Sequence, residues 1–222
     1  IYYYTFMASN QMTRTWADTV REFKTQFGPS LASYSMKIAF SGYDKDEMLT
    51  NFPALVVLGE HLPGFYYDLA KPGGSDLRFM DSTKTTELNY EIEKWNSNGN
   101  SYVWVQVPQF TSNCNIWAFW GMANTNQPPY TTDGSTWSNM FTAVWHLEEQ
   151  VTDEQTTGIH DDSTANGYDG GQRNYSPTGG MIARAQNMDG NDYITRSDIT
   201  PALVYTKEAW VRRVGQGNNN IL

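Results

Sequence analysis

The chain has 222 residues and a formal net charge of −9. Hydrophobic residues make up 39% and charged residues 18%, which is enough apolar matter for a core and argues against a disordered chain. An acidic surface with a pI near 4.7 argues against contacts to nucleic-acid phosphates or anionic lipid, and suits cation binding, calcium in particular.

Residues 13–27, TRTWADTVREFKTQF, place Trp16, Val20, Phe23 and Phe27 at helical spacing. They predict a short amphipathic helix, capped by Thr13 or Thr15 and ended at Gly28-Pro29. The first residues lack an initiator Met and the basic start of a signal peptide, and the last, NNNIL, fall inside a strand pattern. The chain is therefore expected to be a fragment open at both ends, with any signal lying upstream.

From residue 34 the signal is period-2 alternation, which puts successive side chains on opposite faces of a strand. YSMKIAF, ELNYEIEKW and SYVWVQV alternate, DLRFMD after a Gly-Gly turn and NIWAFWGM complete the set, and FPALVVL reads as a strand buried on both faces. Turns rich in Gly, Pro and Asn separate them, the rhythm of a β-sandwich. In SYVWVQV the valines are expected to face the core and the aromatics to pack a second layer. Cys114, the single cysteine, lies beside an apolar run and reads as a small buried hydrophobe.

A Pro- and Gly-rich connector spans 124–139, and a second β segment begins at FTAVWHL. Three units follow: 1–33 with the helix, 34–140 as a β-sandwich, and 141–222 as a second β unit. In the second unit, KEAWVRRVG is expected to be a strand. No apolar run is long enough to cross a bilayer.

Glu91 and Glu93 share one face of a strand, about 7 Å apart, the separation of an inverting glycosidase pair. Glu87 would extend the row. The plainer reading is a solvated sheet face. His61, His146 and His160 are far apart in sequence and in no zinc-binding pattern; His146, inside AVWHL, reads as a hydrogen-bonded structural histidine. There is no G-x-S-x-G elbow, P-loop or dinucleotide fingerprint. The loops DDSTANGYDGG and DGNDY mix carboxylates, amides and glycines. One calcium ion is expected there, held by Asp162 and Asp189, with Asn166 and Asp192 adding oxygens and Gly167 and Gly190 permitting tight turns. The competing reading is Asx turns bonding their own backbone.

Two stretches resemble known families. Residues 34–149 resemble the bacterial domain of unknown function 2341, through SGYDKDEMLTNFPALVVL, GGSDLRFMD, ELNYEIEKWN, SYVWVQVPQF, IWAFWGM and AVWHLEE. That family has no established activity and occurs in large secreted or envelope-associated proteins, some described as biopolymer transport proteins. Residues 141–222 resemble the first half of a laminin-G-like, concanavalin A-like jelly roll, through AVWHLEE, DDSTANGYDGG, NMDGNDYI and KEAWVRR, with Met188 where Phe is usual.

The resemblances imply an all-β chain of tandem sandwiches, the second truncated. They imply a non-catalytic carbohydrate-binding or adhesion module of a secreted or cell-surface bacterial protein, with glycan and neighbouring β modules as partners. Two other readings stand beside it: a glycoside hydrolase region using Glu91 and Glu93, and a periplasmic accessory domain of a proton-channel-type transport system.

Overall fold

The computed structural model describes residues 2–4, 7–9, 14–16, 21–23, 28, 31–123, 126–138, 140–150, 159–173, 176–188, 192–199 and 204–212. Near the N-terminus, β1 (Tyr2–Tyr4), β2 (Met7–Ser9), β3 (Arg14–Trp16) and β4 (Arg21–Phe23) form two antiparallel ladders, β1 with β4 and β2 with β3. The described residues between 13 and 27 are thus strands and not the expected helix. The physical reason is composition: Thr13, Thr15, Val20 and Thr25 are β-branched and the apolar stripe is aromatic, both of which favour paired strands.

The centre is a sandwich of β5 (Tyr34–Ala39), β6 (Leu49–Leu58), β7 (Arg78–Met80), β8 (Glu87–Leu88), β9 (Tyr90–Lys94), β10 (Ser101–Phe110) and β11 (Asn115–Trp120). One sheet has the order β6-β10-β9 and the other β5-β11-β7-β8, with every neighbour antiparallel. Val103, Val105 and Val107 of β10 meet Ile116, Ala118 and Trp120 of β11 in one core, joined by Ala54, Val56, Leu58, Phe79, Leu88 and Tyr90. Alternation explains the choice: every second residue of β10 and β11 points inward. The expectation for SYVWVQV holds, and Trp104 lies on the outer face, its ring centroid 5.4 Å from that of Trp137.

The predicted strand ELNYEIEKW is real as far as Lys94 but changes sheets. Glu87 and Leu88 pair with β7, Asn89 breaks the run, and 90–92 and Lys94 pair with β10. β6 lies at an edge of its sheet, with Leu55 and Val57 only half-buried, so it is not buried on both faces as its apolar run suggested. Asp76, fully buried, accepts bonds from the backbone N–H groups of Lys71 (2.9 Å), Gly121 (2.8 Å) and Met122 (3.1 Å), tying the ends of β7 and β11. Cys114 is half-buried against the core, and burial pushes its thiol pKa up, away from reactivity.

Beyond residue 140, β12 (Gly171–Arg173) pairs with β15 (Tyr193–Thr195), and β13 (Ser176–Gly179) with β14 (Arg184–Asn187). FTAVWHL forms a single bridge, Trp145 to Asp162, in place of a full strand. The expected strand KEAWVRRVG does not form at 204–212: Val204, Trp210 and Val211 are exposed, and no described segment supplies the ladder a strand requires. The fold is all-β, and no helix among the described residues is long and apolar enough to cross a membrane.

Candidate functional site

The outer face of the β6-β10-β9 sheet is covered, and its cover is where the chemistry gathers. β9 turns Tyr90 inward and Glu91 and Glu93 outward, while Trp104 of β10 sits opposite Glu91. The connector lies over them. Gln106 Nε2 donates to the Thr136 carbonyl (3.1 Å) and to Ser138 Oγ (2.9 Å), and Asn89 Nδ2 donates to the Ser135 carbonyl (3.4 Å). Trp137, almost fully buried, donates its indole N–H to Glu91 Oε2.

His146 enters between the two carboxylates. Its Nδ1 is 2.5 Å from Glu93 Oε2, and its Nε2 is 3.3 Å from Glu91 Oε1, an ion-pair distance without hydrogen-bond alignment. Trp104 Nε1 donates to Glu93 Oε2 at 2.9 Å, and Ser163 Oγ donates to Glu91 Oε1 at 2.8 Å. The Glu93 side chain is only 4% exposed, His146 14% and Glu91 20%. The rings of Trp104 and Trp137 lie 6.4 Å and 5.5 Å from the imidazole. The expected solvated face is therefore buried. A pair of carboxylates cannot be left uncompensated under a cover, and one imidazole, two indole N–H groups and the Ser163 hydroxyl meet them.

Electrostatics fixes the protonation. Burial alone would lower the His146 pKa, but the Glu91 and Glu93 carboxylates against its two ring nitrogens override it and push it up to about 10. Burial alone would raise Glu91, but His146, Trp137 and Ser163 hold it below its ordinary value. Glu148, on the same segment 141–149 as His146, is raised by burial and by Glu93. At neutral pH both nitrogens of His146 carry protons, so it can neither accept a proton nor ligate a metal. Glu91, its pKa lowered, does not suit the acid role of a glycosidase pair, which must hold its proton. Ser163 donates its hydroxyl proton to a carboxylate oxygen of Glu91 rather than to an imidazole, so it does not form a Ser–His pair. Glu87 does not extend the row: past the break at Asn89 it accepts from Tyr130 Oη (2.6 Å) and pairs with Arg78 (3.5 Å).

The loop DDSTANGYDGG clasps the strap that carries His146. Asp162 Oδ1 accepts from the N–H groups of Val144 (2.9 Å) and Thr164 (3.0 Å). Its Oδ2 accepts from Thr164 Oγ1 (2.7 Å) and the Tyr168 N–H (2.9 Å). Asn166 Nδ2 donates to the Thr142 carbonyl at 3.0 Å, Trp145 Nε1 to the Tyr168 carbonyl at 2.8 Å, and Gly167 takes the left-handed turn at φ 67°. Four donors fill the lone pairs of Asp162, which is the Asx-turn chemistry weighed against calcium. Asp189 and Gly190 lie outside the described residues. Among the described residues no group of three or more His, Cys, Asp or Glu side chains is arranged to hold a metal. His160, fully buried, meets Glu149 through Nδ1 and Gln172 through Nε2, while His61 is exposed.

The sequence reading reached Glu91, Glu93 and His146 separately and missed their union, together with Trp104, Trp137 and Ser163. Trp104 carried a signal, an aromatic on the carboxylate face of the neighbouring strand. Ser163 carried none.

This arrangement defines an all-β sandwich whose outer sheet face carries a buried, ion-paired joint to the segment that follows. Residues 73–142 match the family described as Domain of unknown function (DUF2341). The match takes in Glu91, Glu93, Trp104 and Trp137 and stops before His146 and Ser163. No curated protein and no solved structure matched the chain.

Proposed function

We propose that the chain is a non-catalytic binding region of a large bacterial secreted or cell-surface protein, with a polysaccharide or cell-surface glycan as ligand. In this reading the sandwich carries the next β unit, the opening of a laminin-G-like jelly roll, on its outer sheet face. The observation that carries it is the state of Glu91 and Glu93. The carboxylate pair on which hydrolysis would depend is held against His146, bonded by two indoles and covered. A pair committed to holding two segments together supports a scaffold role and leaves the chain's surface for ligand.

The test is a glycan array probed with the full-length protein, with calcium and with chelator. Binding to a defined polysaccharide is the expected result, and absence of binding under both conditions overturns the reading. The same protein with Glu91→Gln and Glu93→Gln should show no loss of any polysaccharide hydrolysis. A hydrolytic activity that disappears in the variant at a temperature where the variant remains folded would restore the enzyme reading.

A further inference from the structure

We propose that the cover carried by residues 141–171 also docks on the sandwich of a second copy of this chain. The product is an exchanged dimer in which each copy's His146 meets the other copy's Glu91 and Glu93. The partner is the chain itself, so the inference is independent of any ligand.

The cover holds together by itself. Val144 gives its N–H to Asp162 Oδ1 (2.9 Å), and its carbonyl accepts from the Ser163 N–H (2.9 Å). Trp145 Nε1 donates to the Tyr168 carbonyl at 2.8 Å. The segment 141–149 and the loop 161–171 therefore move as one piece. Side chains fasten that piece to the sandwich: His146 to Glu91 and Glu93, Ser163 to Glu91, and Phe141 to Trp137 at 5.4 Å between ring centroids. The cover of one copy meets the same groups on the sandwich of another. Exchange keeps these contacts, and their energies cancel between closed chain and dimer.

What does not cancel is the hinge. Gln106 holds Thr136 and Ser138 to the sheet, and the cover begins at Phe141. Between them Met140 has φ 64°, left-handed, and is 95% exposed. A bulky residue rarely takes this conformation, because its Cβ crowds the following carbonyl. Almost no packing on its side chain offsets that strain. Opening the hinge returns Met140 to extended backbone, so the closed chain alone carries the strain. Short hinges under strain are the ones that release elements to a neighbouring copy. Met140 lies at the surface, where a second copy has room to approach. Against the relieved strain stands the lost freedom of two copies, so concentration sets the balance.

The test is light scattering on the whole chain, separated by size after refolding from urea at low and at high protein concentration. The dilute sample should be monomeric. The concentrated one should contain a dimer that reverts slowly on dilution, because each cover must first undock. Met140→Gly takes φ 64° without strain, so it should melt no lower than the unaltered chain and dimerise about tenfold more weakly. Met140→Pro, with φ fixed at roughly −65°, should shift the chain toward dimer. A mixing experiment identifies what is exchanged. The Glu91→Gln, Glu93→Gln chain is refolded together with an isotope-labelled His146→Gln chain. Each lacks the joint when closed on itself, whereas a mixed exchanged dimer rebuilds one intact joint. Native mass spectrometry should therefore find mixed dimers in excess of random pairing. Random pairing places the dimer contact on another surface and overturns the proposal. So does an unaltered chain that stays monomeric after concentrated refolding, or a Met140→Gly chain that dimerises as strongly as the unaltered one.

Discussion

At the scale of single residues, His146 decides how the molecule responds to pH. Its folded pKa near 10 lies above the ordinary 6.5, so its stabilisation is complete below about pH 6.5 and is lost as pH rises toward 10. Glu91 has the opposite sign: its pKa is depressed, so its contribution is complete above its ordinary range near 4.5 and is lost as pH falls. Glu148 is raised, so what it contributes is lost as it ionises above that same range. The joint is therefore tightest between about pH 4.5 and 6.5. Melting temperature should fall between pH 7 and 10. His146→Gln should cost about 3 kcal/mol at pH 6, since it leaves Glu91 and Glu93 buried and unpaired, and should flatten the alkaline slope. A parent profile that stays level from pH 6 to 10 would show that the imidazolium is not what holds this contact.

At the scale of elements, the loop 161–171 acts as a clasp on the strap 141–149. Asp162 alone gathers Val144, Thr164 and Tyr168, so its side chain replaces a strand pairing that FTAVWHL does not make. Asp162→Ala should lower stability by about 2–4 kcal/mol, from several lost bonds to an ionised acceptor. The loss should be equal in calcium and in chelator. A calcium-dependent rise in the melting temperature of the parent, abolished by Asp162→Ala, would instead establish the cation site with Asp189. Legibility in the sequence differs between these elements for a physical reason. The strands of the sandwich could be read because period-2 alternation, or for β6 an apolar run, is local. The sheet switch at Asn89 could not, since the same alternation continues through it. The helix expected at 13–27 rested on spacing alone, and aromatic and β-branched residues satisfy that spacing while preferring to pair.

At the scale of the whole molecule, the sandwich and its cover are not separable at the sequence boundary near residue 140. Gly134 shows how close they lie: a Cβ there would fall 2.3 Å from the backbone nitrogen of Ala165. Cutting after Met140 removes His146 and Ser163 and leaves two carboxylates on one face without a counter-charge. Residues 28–140 alone should melt well below residues 28–199. The double change Glu91→Gln, Glu93→Gln should stabilise the short piece and destabilise the long one. The same sign in both would mean that the cover contributes no charge compensation. What the sequence leaves illegible is concentrated here. Alternation shows that Glu91 and Glu93 share a face, but what covers that face comes from residues roughly fifty positions onward, and no local pattern records it.

β9 has a further property that concerns errors in folding. Its side chains alternate between Tyr90 and Ile92 on one side and Glu91 and Glu93 on the other. A one-residue slip against β10 would exchange them, placing two negative charges among Val103, Val105 and Phe79 and moving a tyrosine and an isoleucine beneath Trp137 and His146. Neither half of that exchange finds a partner in the core cluster, whose members are apolar side chains and Tyr90, and His146 would face hydrocarbon. The charges in β9 thus make the misaligned pairing far costlier than an ordinary slip. They act as a proofreader of strand alignment before the connector closes over the sheet.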